Sequence, residues 1–188
     1  MSLILTGTRE HALLAMIVEE ADRLGRQGGY LGRTAIQKIP YFLQVLGVPM
    51  RYRFEIHHFG PYCDEITRDT EWLLADQVVV DQSAKPKYSN YHPGSLLSEL
   101  VGRHARELEK FRSTIQAVVR ALLPLEPEHL EMIATVDYAF RQLKASGGPR
   151  PTKKDVIDRF LQIKGDKFSA DAIGKAFDQL AEAKLFDQ

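Results

Sequence analysis

Apolar residues recur at steps of three and four along most of this 188-residue chain, a spacing typical of amphipathic helices. One segment departs from it. Tyr52, Phe54 and Ile56 alternate with charged or polar residues, which predicts a half-buried strand. The valine run 78–80 and the stretch 88–91 predict two more short strands. The pattern therefore predicts an α+β chain that is mostly α.

The order of these elements predicts two structural parts. In the first half, helix, helix, strand, helix and hairpin follow one another, which is a winged-helix-like arrangement with a small three-stranded sheet. Pro93-Gly94 is the clearest break, so residues 1–94 are expected to form one domain. Residues 95–188 are expected to form a helical bundle packed on it. The apolar stripe of a long helix over 95–123 either packs within the chain or makes a homodimer.

Two local signals set element boundaries in the first half. Thr34 and Gln37 have the spacing of a capping box, which predicts the start of the second helix. Gly60-Pro61 is predicted to break the first strand and to open a helix that runs to about Ala75.

Composition excludes several classes of protein. Lys and Arg together number 25, as do Asp and Glu, so the chain has no net field that attracts nucleic acid or an acidic membrane. A single cysteine excludes a disulfide framework and a zinc site built on cysteine pairs. No apolar run is long enough to span a bilayer, and no signal pattern opens the chain. We therefore expect a cytoplasmic protein without metal or cofactor.

The third predicted helix is strongly acidic. It carries five carboxylates against Arg68 alone: Asp64, Glu65, Asp69, Glu71 and Asp76. In a winged-helix protein that reads DNA, the helix in this place enters the major groove, where cations must neutralise phosphates. DNA binding through this helix is therefore disfavoured.

Aromatic residues beside the acidic helix favour a protein partner instead, because such side chains dominate protein interfaces. The proposed partner-binding residues lie within 58–72: His58, Tyr62, Asp64, Glu65, Arg68, Asp69 and Trp72. The alternative is a DNA-binding regulator that uses other bases: Arg23, Arg26, Arg33, Lys38, Arg103, Arg106, Lys110 and Arg112.

Catalysis has weaker support in the sequence. Cys63 falls in the first turn of the acidic helix, where the helix dipole lowers a thiol pKa, and His57 or His58 could be its base. Adjacent residues of a strand face opposite ways, so at most one histidine can reach the thiol. No third orienting residue is identifiable, and we expect a protein that is not an enzyme.

Three stretches carry a family resemblance: Lys38-Ile39-Pro40-Tyr41-Phe42-Leu43, then His58-Phe59-Gly60-Pro61-Tyr62-Cys63, then Trp72-Leu73-Leu74. They resemble the YwgA-like group of uncharacterised prokaryotic proteins and, more distantly, the Panacea domain of SocA-like antitoxins. The C-terminal stretch from His129 to Phe186 is also similar to the YwgA-like group.

The resemblance implies a winged-helix-like module with an antitoxin, adaptor or phage-defence role exercised through protein contacts. Pro40, where an aliphatic residue is usual, and Cys63, where Ser is common, depart from the family pattern. The second departure argues against a shared thiol chemistry.

Overall fold

The protein, as a computed structural model, is described over residues 5–25, 29–85 and 87–188. Helices dominate and the strands are short, so the predicted α+β, mostly α class is confirmed. The helices are α1 (Arg9–Leu24), α2 (Arg33–Val45), α3 (Asp64–Ala75), α4 (Leu97–Arg103), α5 (Ala105–Leu108), α6 (Arg112–Leu122), α7 (Pro127–Ala145), α8 (Lys153–Lys164) and α9 (Ala170–Glu182). The strands are β1 (Glu55–His57), β2 (Gly60–Tyr62), β3 (Val79–Asp81) and β4 (Tyr91–Pro93). Within the described ranges, no helix is long and apolar enough to cross a membrane.

Contacts divide the chain into two compact units. The first joins Met1–Arg53 with Cys63–Leu125, and the second joins Phe54–Tyr62 with Glu126–Gln188. In the first unit, α4 and α6 pack on α1, and α6 also packs on α2. In the second unit, α7, α8 and α9 pack on one another, and β2 packs on α7. The division after residue 125 differs from the predicted boundary at 94, because α4 and α6 cover the helices of the first unit.

The strands form two separate antiparallel ladders, so the predicted three-stranded sheet is corrected. Ile56 of β1 lies opposite Pro61 of β2, and Val80 of β3 lies opposite His92 of β4. Gly60-Pro61 therefore belongs to a strand that folds back on β1, and it does not end the strand region as predicted. Among the described strands, β1 pairs only with β2 and β3 only with β4, and β1 and β2 belong to the second unit.

A backbone hydrogen bond joins β4 to a segment outside the hairpin. The Tyr91 amide donates to the Leu31 carbonyl at 3.0 Å, so residues 30–32 before α2, which we call the edge segment, lie beside β4. The Arg33 Nε donates to Ser89 Oγ at 3.0 Å on the same edge. The described residues of the first unit up to residue 93 thus follow the order α1, edge segment, α2, α3, β3, β4.

The predicted long helix over 95–123 is broken into α4, α5, a 3-10 turn over Glu109–Phe111, and α6. The first break falls at His104, whose Nε2 lies 3.0 Å from the Gly7 carbonyl oxygen. The interruption turns Leu108 into the core of the first unit, where it is buried. Most of the predicted apolar stripe is buried in the same way, so it packs within the chain.

The start of α2 also differs from the prediction. Gly32 is the N-cap and supplies no side-chain cap, so the predicted Thr34–Gln37 capping box is wrong. Gln37 instead reaches the start of α3. Its Oε1 accepts from the Cys63 amide at 3.0 Å, and its Nε2 donates to the Cys63 carbonyl and to Thr67 Oγ1, each at 3.1 Å. The buried amide of Gln37 therefore fixes where α3 begins relative to α2.

Candidate functional site

Helix α3 presents one face to the core of the first unit and the other to solvent. Ile66, Thr70 and Leu73 are buried at spacings of three and four. The solvent-facing side carries most of the charge of the helix and its one exposed indole: Asp64, Glu65, Arg68, Glu71 and Trp72. Because α3 is held by its apolar face and by Gln37, its charged face is presented on a rigid element.

A cleft of about 330 Å³ lies between α3, the start of α1 and the segment before residue 53. Its volume is at the small end of the range of pockets that bind ligands, about 300 to 1,000 Å³. The lining residues are Thr8, Glu10, His11, Arg51, Tyr52, Glu65, Arg68, Asp69 and Trp72. The cleft therefore combines two arginines, three carboxylates and three aromatic rings.

Asp69 organises the floor of this cleft. The Tyr52 hydroxyl donates to Asp69 Oδ2 at 2.8 Å, and His11 Nε2 lies 3.4 Å from Asp69 Oδ1. Burial, together with the negative charge of Asp69, raises the pKa of the Tyr52 hydroxyl well above its usual value. Tyr52 thus remains a neutral donor to the carboxylate at physiological pH.

Both ring nitrogens of His11 are engaged. Its Nδ1 accepts from the amides of Gly7 at 3.1 Å and Thr8 at 3.3 Å, which assigns the proton to Nε2, facing Asp69. The Thr8 hydroxyl in turn accepts from the His11 amide, which completes a capping box at the start of α1. His11 is therefore a structural link between α1 and α3, with no nitrogen available to a ligand in the cleft.

The upper walls of the cleft are more accessible. Trp72 is 37 % exposed, and its ring packs edge-on against His11 with centroids 5.8 Å apart. Glu10 is paired with Arg9 at 3.1 Å. Within the described residues, Arg51 and Arg68 form no ion pair closer than 4.0 Å, so their guanidinium groups remain available to a partner.

The predicted partner-binding residues fall into two groups. Glu65, Arg68, Asp69 and Trp72 line the cleft, and Asp64 is exposed at the start of the same helix. His58 and Tyr62 lie in the other unit, on the β1–β2 hairpin. The cleft also contains residues that the sequence did not single out: Thr8, Glu10, His11, Arg51 and Tyr52. A histidine next to the apolar run 12–18 was the one available signal for a buried polar contact.

The β1–β2 hairpin is anchored inside the second unit. Lys164 Nζ donates to the carbonyls of His57 and His58, and it pairs with the buried Glu131 at 2.9 Å. Gly60 has φ +83°, and a Cβ at this position would lie 2.7 Å from Thr135 Oγ1. The glycine of the Gly-Pro motif is thus required for close packing of the hairpin against α7.

Cys63 does not have the environment of a reactive thiol. It is the N-cap residue of α3 and is buried. Burial raises the pKa of the thiol, and hydrogen bonds from nearby backbone amides offset this only in part. The sequence predicted that the helix dipole lowers the pKa of the Cys63 thiol, and the structure shows a shift in the opposite direction.

Three of the eight bases of the alternative nucleic-acid surface, Arg23, Arg103 and Arg112, are paired with carboxylates. Arg112 binds Glu19, Glu20 and Glu109 at 3.0 to 3.1 Å, and the hydrogen bonds from its guanidinium to these carboxylates raise its pKa. Arg23 pairs with the same Glu19 and Glu20.

The remaining bases of the alternative nucleic-acid surface differ in how far a phosphate could reach them. Arg103 pairs with Glu99, and Lys38 is only 1 % exposed, which removes its ammonium from contact with a phosphate. Arg33, Arg106 and Lys110 are exposed. Arg26 lies outside the described residues.

No protein-family model matches the chain, and no curated protein matches it. Over the described ranges, no three side chains of His, Cys, Asp or Glu come together as metal ligands.

Proposed function

We propose that this chain is a noncatalytic protein-interaction or regulatory module that binds a protein partner through the exposed face of α3. The observation that carries the proposal is Trp72, a partly exposed indole at a cleft on an otherwise acidic, rigid helix. Large aromatic side chains flanked by charge are the usual anchors of protein interfaces. Helix α3 carries four carboxylates and one arginine, a balance of −3.

This balance favours a polypeptide partner with basic side chains near an apolar pocket for the indole. Duplex DNA carries about one negative charge per 1.7 Å of its axis and would be repelled by the same face. The proposal keeps the cytoplasmic location and the antitoxin-like or phage-defence role that the resemblance to the YwgA-like and Panacea groups implies. His58 and Tyr62, on the hairpin of the other unit, are not needed for it.

The first test is capture of partners by the tagged full chain from a lysate of the source cells. Asp64→Lys/Glu71→Lys reverses two exposed charges of α3 without touching Asp69, whose carboxylate supports the fold. Asp166→Lys/Glu182→Lys makes the same change of net charge in the second unit. We expect a protein retained by the wild type and by this control to be lost by the α3 variant.

The one tryptophan of the chain gives a direct second measurement. Once a retained protein is purified, its titration should shift the emission of Trp72, and Trp72→Ala should weaken binding at least tenfold. Equal capture by wild type, α3 variant and control, with no change in Trp72 emission, would contradict the proposal.

The second candidate is a winged-helix regulator that binds duplex DNA. The observation that supports it is the edge segment beside β4, because a winged helix would need a further strand there, with β3–β4 as its wing. The variants above separate the two candidates. If α3 enters a groove of the duplex, Asp64→Lys/Glu71→Lys should raise the duplex affinity measured by gel shift at low salt. If α3 binds a protein instead, the wild type should not bind the duplex through this helix.

A further inference from the structure

A second exposed surface of the first unit lies at the edge of the β3–β4 hairpin and is basic and aromatic. The loop between the strands contains no carboxylate and carries Lys85 and Lys87, both exposed. Arg33 is fixed beside it by its hydrogen bond to Ser89. Two carboxylates lie close to the hairpin: Asp81 at its base, and Asp22, whose Oδ1 lies 2.9 Å from Nδ1 of His92 on β4. We call Tyr30, Arg33, Lys85, Lys87 and Tyr88 the wing surface.

Two tyrosines of the wing surface are among the most exposed large side chains of the described residues. Tyr30 is 75 % exposed and Tyr88 is 66 % exposed. Lys85 Nζ lies 6.0 Å from the centre of the Tyr88 ring, so a cation and a ring face share one side of the loop. Neither ring is buried in the core of the first unit.

The edge segment brings Tyr30 and Arg33 next to the β3–β4 hairpin. The Tyr91–Leu31 hydrogen bond places residue 31 against β4. The backbone at Gly32 approaches the Ser89 carbonyl so closely that a Cβ there would lie 3.1 Å from its oxygen. Tyr30 and Arg33 lie on either side of this contact in the chain, and Tyr88 directly precedes Ser89.

The carboxylate of Asp81 offsets one of the three positive charges of the wing surface. It accepts from the amides of Ser83 at 3.0 Å and Asn90 at 2.8 Å, so it is occupied in closing the base of the loop. Counted together with Asp81, the three cations of the wing surface leave a balance of +2. This sign is opposite to that of α3.

We propose that the wing surface binds single-stranded nucleic acid, with the cations along the phosphates and the tyrosine rings stacked on bases. Exposed rings interleaved with cations are the chemistry that recognises a single strand, since every base offers a face for stacking. A duplex hides these faces and offers only its phosphates to the same cations. The site is separate from the partner-binding face of α3.

The test measures fluorescence anisotropy of a labelled 20-nucleotide single strand of mixed sequence and of its duplex, both at low salt, with the full chain. We expect the single strand to bind more tightly than the duplex. Lys85→Ala/Lys87→Ala should lower the slope of log affinity against log salt by about 1.4, because each phosphate contact on a single strand contributes about 0.7. Tyr88→Ala should weaken binding about tenfold and leave that slope unchanged.

The controls separate this site from non-specific charge and from α3. Lys85→Glu/Lys87→Glu should abolish binding, whereas Lys154→Glu/Lys175→Glu, which changes the net charge equally on exposed residues of the second unit, should retain it. Trp72→Ala should also retain binding of the single strand, because Trp72 lies on α3. The two proposals can therefore fail independently of each other. No affinity for the single strand, tighter binding of the duplex, or equal loss in the two charge-reversed variants would overturn the proposal.

Discussion

The Tyr52–Asp69 hydrogen bond should be a main determinant of stability in the first unit. Tyr52→Phe removes the hydroxyl that donates to Asp69 Oδ2 at 2.8 Å in a buried position. A hydrogen bond to a charged group contributes about 1.5 to 3 kcal/mol, and its loss leaves the Asp69 carboxylate with His11 as its remaining contact in this network. We expect the free energy of unfolding of the first unit to fall by about 2 kcal/mol.

The single tryptophan makes this measurable in the intact chain. Trp72 lies in the first unit and contacts His11, so its fluorescence reports the unfolding of that unit. With a urea dependence of about 2 kcal/mol per M, the midpoint of Tyr52→Phe should fall by about 1 M. Tyr30→Phe is the matched control, because the hydroxyl of this exposed side chain can be removed at a cost within about 0.5 kcal/mol.

A double-mutant cycle with Asp69→Asn isolates the contact itself. The hydrogen bond from Tyr52 to the charged Asp69 carboxylate is present only in the wild type. The double variant should therefore lose at least about 1 kcal/mol less unfolding free energy than the sum of the losses in the two single variants. A Tyr52→Phe midpoint equal to that of Tyr30→Phe, or strictly additive losses in the cycle, would refute the role given to Asp69.

Two further predictions follow from the packing. The folded state keeps the Tyr52 proton above pH 10, where an unfolded tyrosine releases it, so the wild type loses stability as pH rises through 10. The stability gap between wild type and Tyr52→Phe should therefore narrow by about 1.4 kcal/mol per pH unit in urea titrations above pH 10, and a constant gap would disprove this origin. Gly60→Ala should destabilise the β1–β2 hairpin by about 1 to 3 kcal/mol, since φ is +83° and the new Cβ would overlap Thr135 Oγ1. The loss of hairpin stability should appear as faster hydrogen exchange of the hairpin amides. Gly60→Ala/Thr135→Ala should recover only the part of the loss that comes from the overlap with Thr135, because the strain of the positive φ remains.

The helices could be predicted from the sequence because their apolar spacing is local. Periodicity located α1 and α3, and the acidic face of α3 is visible in the residues themselves. The alternation at 52–56 was a weaker signal. It correctly marked Tyr52 as buried, but it could not tell a strand from an extended segment whose tyrosine packs under α3.

The cleft could not be predicted because its residues come from three separate stretches. Asp69 is drawn to His11 and Tyr52 by contacts over 58 and 17 positions of sequence, and no local pattern encodes them. Gln37 shows the same limit. Its spacing from Thr34 fits a capping box, but its amide gains more by satisfying both the amide and the carbonyl of buried Cys63. At both Asp69 and Gln37, hydrogen bonds between distant parts of the chain determine the position of the side chain, and the local sequence pattern does not.

The neutral composition of the chain conceals two surfaces of opposite sign on one unit. Helix α3 carries −3, the wing surface together with Asp81 carries +2, and each surface has at least one exposed aromatic side chain. In a winged helix that reads DNA, the helix and the wing approach one duplex together, so both must be basic. Here the signs oppose, and a single polyanion cannot satisfy both surfaces. A module with this division would bind a basic polypeptide at α3 and a strand of nucleic acid at the wing independently, and saturation of one site should leave the affinity of the other unchanged.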